Sequence, residues 1–281
     1  MNKFVPAFIF LILTSSRLLF AQYYVTGQDP ASLKWKQIET PHFRLLFPES
    51  FTPRANSYAN LLEESFVNAQ TLYPSIRGRM PVIVHNYSLL SNGYVAWAPK
   101  RIELFPFPGQ SNLPDDPSQL LIMHEMTHVG QISSLRKGDT RFFYYLFGEQ
   151  AVGVVSSMLP EWSLEGDAVF SETRFSNSGR GRSISFLQEE KSICLDQKKI
   201  YPYSKMLFGS YRNETPDEYV YGFIIMNYLR SRYPDFWKEN VDFTGRNSLF
   251  IVPSNIYMKQ KLHLSRNSLY MAATDSARSY W

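Results

Sequence analysis

Hydrophobic and polar positions follow mixed strand and helix periods in the first part of the chain and mainly a helical one in the second. His42-Phe43-Arg44-Leu45-Leu46-Phe47 reads as a strand ending at Pro48. Thr52 then caps a helix with Pro53 at its first position. Tyr58, Leu61, Leu62, Phe66, Ala69 and Leu72 recur along that helix at a spacing that predicts a buried stripe. Residues 81–85 read as a short buried strand. Asn92-Gly93 is a turn signal, and the alternating runs 94–98 and 101–105 that follow predict neighbouring strands. Strand, helix, strand, strand is the order of a mixed α/β lobe over residues 22–116.

Composition shifts at residues 106–117, a loop rich in proline, glycine and asparagine. Asp116 and Pro117 start a helix carrying Leu120, Leu121, Ile122 and Met123, apolar enough to be buried along its length. Residues 142–159 form another apolar, helical segment stopped by Pro160, and Glu149 and Gln150 argue against its spanning a membrane. A buried helix is the plain expectation there, with a lid or a docking surface as alternatives. Ser163 caps a helix running through Glu172, and residues 176–183 read as a flexible loop of Ser, Gly and Arg. Thr215-Pro216-Asp217-Glu218 combines a capping box with a first-turn proline and starts a helix to Tyr233. The second lobe, residues 117–281, is therefore mainly helical, the fold class is α+β, and there is no internal repeat.

The first 21 residues read as a signal peptide, with Lys3 in the n-region, an apolar run at 4–13 and a small residue, Ala21, before the cleavage point. An uncleaved anchor is the alternative. Export to the periplasm, the cell surface or the medium follows, with no stable membrane span after cleavage. Cleavage removes Lys3 and Arg17 and no acidic residue, so the net charge of +4 falls to +2, too small a basic excess for a nucleic-acid partner. The single cysteine, Cys194, excludes an intrachain disulfide, so a packed core must supply stability.

Within the helix that starts at Asp116 lies His124-Glu125-Met126-Thr127-His128, the H-E-x-x-H pattern of zinc sites. Positions i and i+4 share a helix face, so both imidazoles can meet one ion, while Glu125 leans off that axis toward a water. Three protein ligands and one open position are needed for zinc hydrolysis chemistry. Glu165 is the candidate third ligand: it sits beside Gly166 in the first turn of a helix, among Trp162, Leu164, Ala168, Val169 and Phe170. A carboxylate buried there is costly unless paired or bound to metal.

H-E-x-x-H followed by Trp162-x-x-Glu165-Gly166-x-Ala168 resembles the gluzincin metallopeptidases of the peptidase MA clan. More closely, the chain is similar to the N-terminal domain of exported bacterial proteins that also carry TolB-like or WD40-like β-propellers. Trp35-x-x-Ile38-x-Thr40-x-His42-Phe43, Asn92-Gly93 and Ala98-Pro99-x-Arg101 share in that likeness. No blade-length repeat follows Glu172, so a short or truncated member is expected, and the spacing from His128 to Glu165 is longer than the common aminopeptidase pattern. The resemblance implies a zincin-like fold around the H-E-x-x-H helix, one zinc ion per chain held by His124, His128 and Glu165, and Glu125 as general base.

It also implies peptide hydrolysis by a metal-activated water, with a Tyr or His of the helical lobe stabilising the oxyanion. Tyr219 and Tyr221 lie on the helix begun at Thr215, and Tyr221, beside Gly222, is the one chosen. Asp167 and Glu172 are candidates to orient the imidazoles. Substrate would pair as an added strand with Tyr94, Val95, Ala96 and Trp97. The G-x-M-E-N anchor is absent, which leans toward an endopeptidase. The competing reading is a non-catalytic scaffold for an envelope protein partner. An intact Glu125 and the lack of a nearby cysteine as fourth ligand weigh against it.

Overall fold

The strand β1 (Trp35–Glu39) turns back at Thr40, whose hydroxyl accepts from Phe43 N at 3.0 Å, into β2 (Phe43–Pro48). Only the second half of this hairpin is visible in the pattern, because β1 is almost wholly exposed and lacks an apolar alternation. Helix α1 (Thr52–Leu72) carries the chain across to β3 (Met80–Val84), parallel to β2. The predicted stripe faces the sheet and core: Tyr58, Leu62, Phe66 and Ala69 are buried, with Leu61 and Leu72 packed at its margin. β4 (Ser91–Trp97) and β5 (Lys100–Pro106) form an antiparallel hairpin, and β5 runs parallel to β3. The sheet order β1-β2-β3-β5-β4 leaves β4 at an edge.

This computed structural model describes residues 29–107, 114–250 and 252–281. The expected signal peptide and the middle of the loop 106–117, residues 108–113, lie outside them. Residues Lys34–Trp281 form one compact unit, and residues before Lys34 belong to another. The fold is α+β, a five-stranded mixed sheet with a large helical portion. No helix among the described residues is long and apolar enough to cross a membrane.

The helices follow from α2 (Pro117–Ser134), where the Asp116 side chain accepts from Ser118 N and Pro117 occupies the first turn. Apolar and small residues on nearly every face let α2 sit buried among α1, β4 and α5 (Glu161–Arg174). Helix α8 (Glu218–Arg232) crosses α5 with the two backbones in contact at Gly166 and Gly222. A Cβ on Gly166 would lie 2.2 Å from the Gly222 carbonyl carbon, and one on Gly222 would lie 2.2 Å from the Trp162 oxygen. Both positions therefore exclude any side chain, and the small residue beside Glu165 is explained.

Several expectations need correction. Asn92-Gly93 is not a turn: both residues lie inside β4, paired with Phe105 and Leu104, and the hairpin turns at Ala98-Pro99. The apolar segment 142–159 is two helices, α3 (Gly138–Phe147) and α4 (Glu149–Ser156), split at Gly148 with φ +64°. Nor is it fully buried, since Phe142, Tyr145, Leu146 and Phe147 are each more than half exposed. Ser163 does not cap α5, whose N-cap is Pro160; its hydroxyl instead donates to Pro160 O from inside the first turn. Asp217, not Thr215, caps α8, accepting from Val220 N. Residues 176–183 are tied down: Asp115 accepts from Asn177 N and Ser178 N at 2.9 and 2.8 Å, and residues Arg180–Arg182 form a 3-10 turn.

Candidate metal centre

Helix α2 brings His124 and His128 one turn apart, and the α5 crossing brings Glu165 between them. His124 Nε2 lies 3.2 Å from His128 Nε2 and 3.1 Å from Glu165 Oε2, and His128 Nε2 lies 3.4 Å from the same oxygen. The corners of a tetrahedron around zinc, with metal–ligand bonds of about 2.0–2.1 Å, are about 3.3 Å apart. Two imidazole nitrogens and one carboxylate oxygen are also a donor set suited to zinc. Both the spacing and the chemistry of the residues therefore fit such an ion. They are the group among the described residues whose His and carboxylate atoms converge closely enough to hold a metal.

Burial alone would raise the Glu165 carboxyl, but hydrogen bonds from His124 and His128 hold it far below the usual range. For His128 burial works downward, yet the hydrogen bond and charge of Glu165 and the charge of Glu125 push it up to about 9.

The other nitrogens of the two rings are held from behind. His128 Nδ1 donates to Gln131 Oε1 at 2.9 Å, and Gln131 Nε2 donates to Leu164 O and Asp167 Oδ2. That network directs the His128 Nε2 lone pair toward the cluster. Asp167 does not touch either imidazole. It is buried with Arg230 at 2.7 Å and the Tyr73 hydroxyl, and reaches His128 only through Gln131. Glu172 does meet a ring: its Oε2 lies 3.5 Å from His124 Nδ1. Arg180 lies against both, with its Nε donating to Glu172 at 2.6 Å and an Nη 2.8 Å from the same His124 nitrogen. Arginine only donates, so as the groups stand His124 Nδ1 accepts from Arg180; for Nε2 to offer its lone pair to an ion, the Nδ1 proton must face Glu172 and the Arg180 Nη must draw back from the ring.

A cleft of about 430 Å³ opens onto this cluster, and Glu125 lies in its wall, buried, with Oε2 lacking a hydrogen-bond partner. Burial raises its pKa, an effect that His124 and His128 only partly offset. β4 runs so close that a Cβ on Gly93 would meet Glu125 Cγ at 2.8 Å and Oε1 at 2.9 Å. Gly93 is thus the gap into which the carboxylate fits.

The tyrosine that lines the cleft is Tyr219, not Tyr221. Tyr221 is packed in the core and does not line the cleft. Two residues along a helix turn a side chain through about 200°, and the Gly166–Gly222 contact sets the phase that turns Tyr219 to the cleft. Tyr219 lies under the Arg180 guanidinium at 5.0 Å and beside the His124 ring at 6.1 Å. Burial, then the Glu165 charge, raises its hydroxyl further above the ordinary tyrosine range.

The edge strand is displaced from its expected register. Ser91 to Val95, including Tyr94 and Val95, border the cleft, whereas Ala96 and Trp97 do not. The end of β4 is covered by α4, whose Glu149 accepts from Lys100 N at 2.8 Å. Gln131 and Arg180 were absent from the expected site. Gln131 had a signal, since it follows His128 by three residues on the same helix face. Arg180 had none, because its position depends on how Asp115 ties the loop. No protein-family model matches the chain, and no curated protein matches it.

Proposed function

We propose that the chain is an exported zinc-dependent peptidase of gluzincin type, with the zincin-like fold that this implies. The observation that carries this reading is the set of three ligand atoms spaced as corners of one coordination tetrahedron, beside a buried carboxylate with an unpartnered oxygen. Zinc held by His124, His128 and Glu165 would supply Lewis-acid polarisation of a peptide carbonyl and an acidified water.

The chain's own groups do the rest. Glu125 takes a proton from water and returns it to the leaving amine, for which burial gives it a more basic carboxylate than an exposed one. Tyr219, protonated at neutral pH and lining the cleft beside His124, donates to the developing oxyanion. The exposed edge of β4 at Ser91 to Val95 offers backbone groups to an extended peptide. Glu172 and Gln131 keep the two imidazoles oriented. A peptide or protein is the substrate class; the partner in the envelope is the substrate itself or a protein that delivers it.

Metal content of residues 22–281, measured by mass spectrometry beside Glu165→Ala, tests the reading. The expected result is about one zinc per chain, lost in the variant. No zinc under metal-replete conditions would overturn it in favour of a non-catalytic scaffold.

Gly93→Ala should leave zinc content unchanged but lower kcat/KM for a peptide by about 10²-fold, because the added methyl pushes the Glu125 carboxylate aside. Unchanged kinetics would mean that Glu125 acts from another position.

A further inference from the structure

We propose that a second cavity, between the C-terminal end of α2, the β4–β5 turn and α3, binds the phosphate headgroup of an anionic phospholipid and docks the protein on a membrane surface. The cavity is about 650 Å³ and shares no lining residue with the cleft at the metal centre. Arg77, Lys100, Arg136, Lys137 and Arg141 line it, against one carboxylate, Glu149. Lys137 is paired with Asp242 outside the lining, and Glu149 already accepts from Lys100 N.

Two donors of the lining lack an acceptor. The indole nitrogen of Trp97 and the hydroxyl of Ser133, both in the lining, are shielded from solvent and have no hydrogen-bond partner. A buried N–H left unpaired is costly, and Trp nitrogen can only donate. The cations are also crowded onto aromatic rings in place of anions. Lys100 lies 4.8 Å over the Trp97 ring and Arg136 lies 3.5 Å over Tyr144. Burial and the Arg136 charge hold the Lys100 ammonium below its ordinary range, with Glu149 opposing. A phosphate seated among these cations would relieve their crowding.

The rim of the same cavity says which kind of phosphate. Tyr145 belongs to its lining, and Phe142, Tyr145 and Leu146 lie at i, i+3 and i+4 on one face of α3. Together with Phe147 at the end of the same helix they are exposed and make an apolar ridge. A helix that presents such a face beside cations is suited to lie in a lipid interface. A phospholipid brings an anion and an apolar chain side by side, matching cavity and ridge at once. A free phosphate would leave the ridge uncovered.

Vesicle co-sedimentation of residues 22–281 tests this. That span contains every described element and omits the apolar run at 4–13, which could insert by itself. Binding to phosphatidylglycerol-containing vesicles is expected to exceed that to pure phosphatidylcholine by about tenfold or more. Arg136→Glu with Arg141→Glu, and separately Phe142→Ser with Phe147→Ser, should each weaken it by about tenfold. These side chains are largely exposed, and circular dichroism checks the fold; the comparison of the two lipids needs no variant. Equal binding to both lipids, no vesicle binding, or binding that neither pair of substitutions alters would overturn the proposal. So would thermal stabilisation by inorganic or glycerol phosphate without vesicle binding, which would make this a soluble-anion site. Binding to an acidic protein with no binding to either kind of vesicle would also overturn it and assign the surface to a protein partner.

Discussion

Replacing Glu125 by glutamine is expected to lower peptide hydrolysis on the order of 10²–10⁴-fold while leaving zinc content unchanged and the metal-free fold no less stable. The three outcomes have separate causes. Activity falls because the amide cannot accept a proton from water. Zinc stays because the ligand atoms come from His124, His128 and Glu165, and Glu125 is not among them. Stability holds because the Glu125 carboxylate is buried with Oε2 unpartnered and its pKa is raised. A carboxyl whose folded pKa lies above its unfolded one weakens the fold at pH values above the unfolded value. Glutamine removes that ionisation at neutral pH without changing the shape. Steady-state kinetics, metal analysis and thermal melts of the stripped chain check the three together. A variant that melts far lower would place Glu125 in a structural role, and one that still hydrolyses peptide at the original rate would mean that another group takes the proton from water.

What the sequence made legible depended on how local the cause was. The start of α2 could be read because Asp116 and Pro117 act on the turn they belong to. Glu165 could be read because a carboxylate among Trp162, Leu164 and Ala168 needs a partner wherever the chain goes. The α1 stripe was visible because one face of a long helix has one period. Tyr219 was a different case: it and Tyr221 are equivalent to any local rule, and only the crossing at Gly166 and Gly222 decides which faces the cleft. That crossing also explains why Tyr221-Gly222 stood out in the sequence, since the glycine carried the signal. Asn92-Gly93 misled for the converse reason. Its glycine serves a contact with Glu125, thirty-two positions away, not a turn. Exposure of α3 was hidden because apolar content alone does not distinguish a core helix from one left for another surface.

Zinc affinity is expected to rise about tenfold for each pH unit between 6 and 9 and to level off above, a total of about a thousandfold. In the metal-free cluster His128 is pushed up to about 9, so at neutral pH its ring holds a proton that an ion must displace. Glu165 stays ionised throughout, because its pKa is held far below this range, and contributes no further slope. The affinity loss therefore grows as pH falls below about 9, by one proton's worth per pH unit. The same shift acts oppositely on the empty fold. A histidine with a raised folded pKa contributes stability that is full below its unfolded value and lost as pH rises through about 9. The metal-free chain should thus lose stability from pH 7 to 9 while zinc binding strengthens, and the gap in Tm between loaded and stripped protein should widen. Competition with a chromophoric chelator gives the affinity at each pH, and release of about one proton per zinc at pH 7 gives an independent count. A flat profile would mean that His128 is already neutral in the metal-free cluster.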